Sequence, residues 1–468
     1  MRKKKSKAEF TALLTFLLGV TLVLTNGFSA RIFAQSDERE LFEQIEPIGD
    51  VLSEILKNYV YEPDVDKAVE GALMGIMNSL DKNSSYVPAA NLKSMQEDTS
   101  GEFEGIGIHI GQNEDGNIVI RRPIAGAPAA SAGLRAGDVI SAIDGVSAIG
   151  MEPSAAARRI KGPRGQIVHL TIMRANDETE TYDELEFDVK RGKIPIDSIL
   201  EARILDGGIG YIRISDFKKH TARDVRNTIR DFKGDGLKSL IIDLRWNPGG
   251  LLTASRDLCE LFLPKNTLVT YTRGRETASG RYMEDMRLHT QRRPVIPETM
   301  PLLLLVGQSS ASSAEIVTGA LQFYARAIVL GEKTYGKGSV QTIIPLRRPK
   351  GSALRLTTAL YYTPAEVTID GKGILPDVSV PMPLEQQGAL LDQMYRSYAT
   401  DLSFQNQQNH GAVTGNGSLE DTVQDLVLER AVEMLREDSV FQNLVDKYHR
   451  DPYETQVALS RNEVTAVH

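Results

Sequence analysis

Four serines crowd one turn of this chain, Ser309, Ser310, Ser312 and Ser313, and a lysine held between glycines, Gly336-Lys337-Gly338, follows 25 residues after Ser312. A hydroxyl and an amine can together break an acyl bond. An unactivated serine is a poor nucleophile, so a base must take its proton, and lysine serves only if burial or a positive neighbour lowers its pKa. That requirement predicts a largely desolvated Lys337 within hydrogen-bond reach of the Ser312 hydroxyl. Each residue also has an ordinary reading. A serine before a helix is most often an N-cap, a role any of the four serines could fill, and a lysine between glycines is most often a solvated loop residue.

The elements that must position these groups lie between Pro301 and Leu346. This stretch parses as a buried strand (Leu302 to Val306), the serine-rich turn, a helix (Glu315 to Tyr324), an apolar strand (Ala327 to Leu330), a glycine-rich loop and a third strand. Ser312 and its neighbours therefore stand at a helix N-terminus, where unpaired N–H groups favour developing negative charge. The flanking glycines let Lys337 approach another backbone closely. Gln341 comes four residues later, so in a continuous strand it would share a face with Lys337. A phosphate loop is excluded: Gly331, Gly336 and Lys337 match G-x-x-x-x-G-K, but Gly338 stands where a Ser or Thr must hold Mg²⁺.

The strings S-A-S-S-A-E-I and G-K-G-S-V-Q together resemble the active-site region of the carboxyl-terminal processing peptidases, the tail-specific Ser-Lys proteases of peptidase family S41. The resemblance implies Ser312 as nucleophile, Lys337 as base and Gln341 as the residue that orients the lysine, at the serine-to-lysine spacing the family uses. It extends to Asn247-Pro-Gly-Gly250, where bare backbone can come close to whatever sits at the preceding strand end. By this likeness the oxyanion hole is formed by the amide of Gly249 or Gly250 with that of Ser313. Trp246 departs from the polar residue common at that place and is expected to reshape the pocket.

The block from Gly101 to Arg191 resembles a PDZ domain. Gly105-Ile106-Gly107-Ile108 matches the loop whose amides receive a terminal carboxylate, and a peptide would add as a strand beside the residues that follow. The sequence is not a dinucleotide fingerprint, because the third glycine falls one place late and no strand-then-helix follows.

With 54 basic against 62 acidic residues the net charge is −8, which argues against a nucleic-acid binder. The single cysteine, Cys259, forms no internal disulfide and reads as a packed helix residue. None of the seven histidines has metal-ligand spacing, so neither metal nor other cofactor is expected. The basic start MRKKKSK, the apolar run from Phe10 to Leu24 and the small residues up to Ala30 or Ala34 read as a secretory signal, with Ala34 the better cleavage position; an uncleaved membrane anchor is the alternative.

These readings predict a multidomain α/β protein. They divide it into a signal or anchor (1–34), an N-terminal helical region (37–100), a PDZ domain (101–191), a protease core (192–382) and a C-terminal helical region (383–468). By resemblance the core is a ClpP/crotonase-like α/β fold, and its β-α-β-α succession is legible in the residues themselves. Asp81-Lys-Asn-Ser-Ser-Tyr86 departs from the family's D-P-H-S-S-Y and reads as a turn without bearing on catalysis. The segment from Thr272 to Pro294 reads as a surface loop or hairpin, and the helix from Leu419 to Arg436 as one that docks on the core or on a second subunit. The expected activity is that of an exported, periplasmic or envelope endopeptidase acting on proteins held by their C-terminal tails. An adaptor protein, membrane association through the N-terminus and a homo-oligomer enter as expectations from family likeness. The rival expectation is a PDZ scaffold or chaperone that holds exported proteins without cutting them.

Overall fold

The structure, a computed structural model, describes residues 43–394 and 423–437 apart from positions 114, 125, 177, 178, 180, 278–282 and 284. The expected signal or anchor lies outside the described residues. Two compact units divide at Asp81 and Lys82. In the first, residues 43–58 are helical and a second helix, Val65–Asn78, starts at Asp64, whose carboxylate accepts from Lys67 N–H at 3.0 Å. Ile45, Ile48, Val51, Leu56 and Ile76 leave an apolar face of this unit exposed. Among the described residues no helix is long and apolar enough to cross a membrane.

The second unit is built on a six-stranded sheet. Its strands run in the order Ile199–Leu205, Ile209–Ile214, Ser239–Asp243, Leu302–Val306, Ile328–Gly331 and Val378–Ser379. The first pair is antiparallel and the others parallel. Every residue of the two central strands is buried, as expected where both faces of a parallel sheet are covered. Alternation sends Ile242 and Leu304 to one face, beneath the helices Thr221–Gly234, Leu252–Cys259 and Ser313–Phe323. Ile241 and Leu303 go to the other, where Leu390, Met394, Val427 and Met434 cover them.

The C-terminal helix, Leu426–Arg436, therefore docks on the core. It is anchored at its N-cap: both carboxylate oxygens of Asp425 accept from Arg245 at 2.7 Å, and Asp243 accepts from the same guanidinium from within the sheet. Burial alone would lower the Arg245 pKa, but Asp243 and Asp425 hold it well above its ordinary value. Asp425→Asn should cost about 2 kcal/mol, because a buried charge loses half of its partners. The check is urea unfolding followed by Trp246, the only tryptophan, whose ring lies 5.1 Å from that guanidinium.

A second, antiparallel sheet pairs Ala353–Tyr362 with Ser85–Val87, with Leu268–Gly274 and with Ser339–Pro345. Leu268–Gly274 also pairs Arg287–His289, so the expected hairpin is present there. Residues 82–87, read from sequence as a turn, are an approach and an edge strand of this sheet, and the helix Ala89–Ser100 follows them. Residues 82–100 thus belong to the second unit, although the sequence grouped them with the amino-terminal helices.

The PDZ-like block forms its own sheet, ordered Ile108–Gln112, Ile118–Pro123, Val139–Ile143, Ile167–Asn176 and Thr181–Lys190, around Ile106, Ile118, Ile140, Leu170 and Ile172. Its two ends are clasped by a ladder between Glu102–Gly105 and Gly192–Pro195.

Candidate active site

The parallel sheet delivers two turns to one place. Asn247, fully buried after the Ser239–Asp243 strand, donates its side-chain amide to Ile214 O at 2.8 Å, accepts Gly249 N–H at 2.8 Å, and takes Ala311 N–H on its carbonyl at 2.9 Å. One side chain and its own carbonyl thereby join two strand ends to the residue before Ser312. Gly249 has φ +99°, and a Cβ there would lie 2.7 Å from Ser312 Cβ and 2.9 Å from Ser313 N, so only glycine permits this approach.

Ser312 is the N-cap of the Ser313–Phe323 helix, with φ +55° and ψ −115°, a strained conformation for a residue with a side chain. The other serines have different tasks. Ser310 Oγ donates to Leu244 O at 2.8 Å, and Ser313 Oγ donates to Gly250 O at 3.1 Å. The Ser312 side chain faces the Glu315 amide without a hydrogen bond of normal geometry to it, and it lines an open cleft of about 790 Å³.

Glu315 organises the centre. Its carboxylate is fully buried. Oε2 accepts from Ser312 N at 2.9 Å and from Lys337 N at 2.8 Å, while Oε1 accepts from Gly336 N at 2.7 Å and from Thr334 Oγ1 at 2.6 Å. Burial raises its pKa, and these four donors oppose the shift. The backbones of Ser312 and Lys337 are thus bound to one oxygen atom.

Lys337 lines the same cleft and is half-buried. The predicted hydrogen bond to Ser312 is absent among the described residues, and desolvation is partial. The glycine loop gives Lys337 this partial exposure, because its backbone is tied down while its long side chain reaches into an open cleft. Burial first, then the Arg355 guanidinium, holds the Lys337 pKa below its ordinary value. Arg355→Met should move the alkaline limb of a pH–rate profile to higher pH, because the neutral amine then forms later. A profile with an unmoved limb would count against this coupling.

Gln341 is placed differently from the sequence expectation. The strand begins at Ser339, so Lys337 lies in the loop before it, and the pairing register slips between Val340 and Gln341. The shared-face argument therefore fails. Gln341 Nε2 donates to Ser339 Oγ at 2.9 Å and to Thr357 Oγ1 at 3.2 Å, with no bond to Lys337. Trp246 also departs from expectation: it lines a separate cavity with Val427 and Met382, on the side of the C-terminal helix. The positive φ of 58° at Trp246 turns the chain there, and the cleft is left to Pro248, Gly249 and Gly250.

The family model described as Peptidase family S41 matches residues 208–380, and a PDZ-domain model matches residues 94–173. A carboxy-terminal-processing protease of Bartonella bacilliformis is 36% identical over 434 residues, which cover 90% of this chain and 95% of that protein. The chain belongs to peptidase family S41. It carries a PDZ domain beside the peptidase domain. The carboxy-terminal processing protease CtpA of Bacillus subtilis is 31% identical, over 81% of this chain and 78% of its own. Among solved structures, a photosystem II D1 C-terminal processing protease aligns at 24% identity and a TM-score of 0.40, covering 70% of this chain and 86% of that one.

In this S41 peptidase several residues without a sequence-assigned role support the cleft. Asn83 Nδ2 donates to Ser339 Oγ at 3.0 Å, Ser84 Oγ accepts Thr357 N–H at 3.0 Å, and Arg355 Nε donates to Asn83 O at 3.1 Å. Lys82 donates to Tyr335 Oη at 3.2 Å beside the Lys337 loop. Gly338 N–H donates to Asp370 Oδ1 at 3.0 Å, which secures the other side of Lys337. In the PDZ domain of the peptidase, Ile108–Gln112 is an edge strand with the Pro153–Ile160 helix beside it. The Ile106 side chain is core rather than groove, and Gly107, at φ +77°, brings its backbone so close to Ala127 that a Cβ would lie 2.4 Å from that residue's Cβ. Gly105, Ile106 and Gly107 can therefore offer a ligand their backbone alone, whereas the Ile108 side chain is only half-buried.

Proposed function

We propose that this peptidase is an exported serine endopeptidase. It captures protein C-termini on its PDZ domain and cuts peptide bonds with Ser312 as nucleophile and Lys337 as general base. The observation that carries the reading is the single Glu315 oxygen shared by the backbone N–H groups of both residues. Lys337 takes the Ser312 proton as Oγ attacks the scissile carbonyl, then returns it to the leaving amine; water releases the acyl group. The oxyanion is received by the amides of Gly250 and Ser313, since the Gly249 amide is already committed to Asn247. Gln341 orients Lys337 with its amide oxygen, the part of the side chain that Ser339 and Thr357 do not engage.

The separated hydroxyl and amine correspond to a resting arrangement, which a bound tail shifts toward the active one. The tail's carboxylate sits on the 105–108 loop and its backbone extends the sheet along Ile108–Gln112. A peptide with an amidated C-terminus should accordingly bind about tenfold more weakly by calorimetry, since a charge-assisted contact to backbone amides is lost. The exposed apolar face of residues 45–76 is where a second copy adds.

The proposal is tested with a fluorophosphonate and an unfolded protein ending in an apolar tail. A covalent adduct mapped by mass spectrometry to Ser312, with cleavage lost in Ser312→Ala, is the expected result. A wild type that is neither labelled nor more active than Ser312→Ala would leave a PDZ scaffold that binds without cutting.

A further inference from the structure

Four buried side-chain atoms among the described residues have no hydrogen-bond partner, and one of them is the hydroxyl of Tyr361. Tyr361 is 2% exposed, lines the catalytic cleft and turns its hydroxyl toward the Ser312 side chain, near enough to interact but outside hydrogen-bond geometry. Its backbone is tied to the catalytic loop by Tyr361 N–H to Gly338 O at 2.9 Å. A buried donor without an acceptor works against the fold, so its retention beside a nucleophile calls for a cause.

We infer that Tyr361 is a further catalytic residue, whose hydroxyl donates a hydrogen bond to Ser312 Oγ when that oxygen has given up its proton. The inference rests on the Ser312–Lys337 reading above. In the acylation step the Oγ proton passes to Lys337 Nζ, the Oγ–carbon bond forms, and the carbonyl π electrons move to the oxyanion. When that intermediate collapses, the carbon–nitrogen bond breaks and Lys337 returns the proton to the amine. Tyr361 keeps its own proton throughout and supplies only the hydrogen bond, which is strongest while Oγ carries charge. Burial, with the Glu315 carboxylate behind it, holds the phenol pKa well above its ordinary value, so the group stays a donor at working pH.

Tyr361→Phe deletes one oxygen and leaves the ring. A purely structural tyrosine would lose stability on this change, whereas a hydroxyl that is unpartnered at rest would not. Tyr271 is the control: its hydroxyl is also buried and unpartnered, but its ring stacks on Tyr362 at 5.1 Å and does not line the cleft. The full chain, Tyr361→Phe, Tyr271→Phe and Ser312→Ala are compared in peptide cleavage, fluorophosphonate labelling and thermal unfolding. Expected for Tyr361→Phe are kcat and labelling rate lower by about 10- to 100-fold, KM within twofold, and a Tm equal to or above wild type. Tyr271→Phe should match wild type in rate. A Tyr361→Phe enzyme with wild-type kcat and labelling overturns this inference alone, as does a rate loss matched by a fall in Tm. A wild type as inert as Ser312→Ala overturns it together with the proposed function.

Discussion

Lys337→Ala is expected to lower kcat/KM by about 10⁴-fold with little change in folding. The other titratable groups that line the cleft are Asp216, Lys218, Arg355 and Tyr361. Lys218 and Asp216 are paired with each other, the Arg355 guanidinium offers only donors, and burial holds the Tyr361 phenol protonated. The side chain of Lys337 has no hydrogen-bond partner among the described residues, so its removal strands none of them. The wild-type rate should rise with pH as the ammonium loses its proton. Since burial and Arg355 lower that pKa, the limb lies below the ordinary lysine value of 10.5. Stability has the same sign: the folded state gives up the proton more readily than the unfolded chain, so raising the pH through the folded pKa favours the fold until the unfolded lysine also titrates. Lys337→Ala should remove the limb from the residual activity. A mutant that retains the limb at a tenth of the rate would assign the base elsewhere.

Glu315→Ala should damage both fold and catalysis. It leaves the N–H groups of Ser312, Gly336 and Lys337 and the Thr334 hydroxyl without their acceptor, which costs about 3–5 kcal/mol. It also releases the strained Ser312 backbone from its hold on the lysine loop. Displacements of about 1 Å at reacting groups lower rates about 10²-fold, and here nucleophile and base are both freed, so about 10³-fold is expected. Glu315→Gln is not a mild change. An amide nitrogen in place of Oε2 would meet two backbone N–H donors, and in place of Oε1 the Gly336 N–H, so either orientation sets donor against donor. Activity should fall in acid for the same reason, with a limb above the ordinary carboxyl value of 4.5, because burial raises the Glu315 pKa. Urea unfolding and kcat of the two variants are the measurements. Glu315→Gln with wild-type kcat would show that the carboxylate does not position the pair.

The local strings around Ser312 and Lys337 were legible because the turn, the helix start and the glycine loop are short-range features. The β-α-β-α order was legible through hydrophobic period and turn residues, and the PDZ domain through its resemblance. Glu315 does carry a signal in the sequence: it is the only charged residue between Gly307 and Tyr324, in a helix whose neighbours are small or apolar. An acid in such a run is buried, and a buried acid needs donors. Tyr361 carried no comparable mark, since an aromatic in an alternating strand reads as packing. The role of residues 82–84 was hidden because their partners lie more than 250 positions away.

Residue types and spacing along the chain determined which groups can do chemistry here: a serine at a helix start, a lysine between glycines and an α/β core. Only the tertiary structure decided which serine is presented to the cleft, that one carboxylate holds two distant backbones, that Gln341 faces Ser339 and Thr357, and that the last helix covers the sheet. Periodicity and turn chemistry act over a few residues and are written locally. Hydrogen-bond partners across a sheet are set by register, where a one-residue slip such as that at Val340 redirects every side chain that follows.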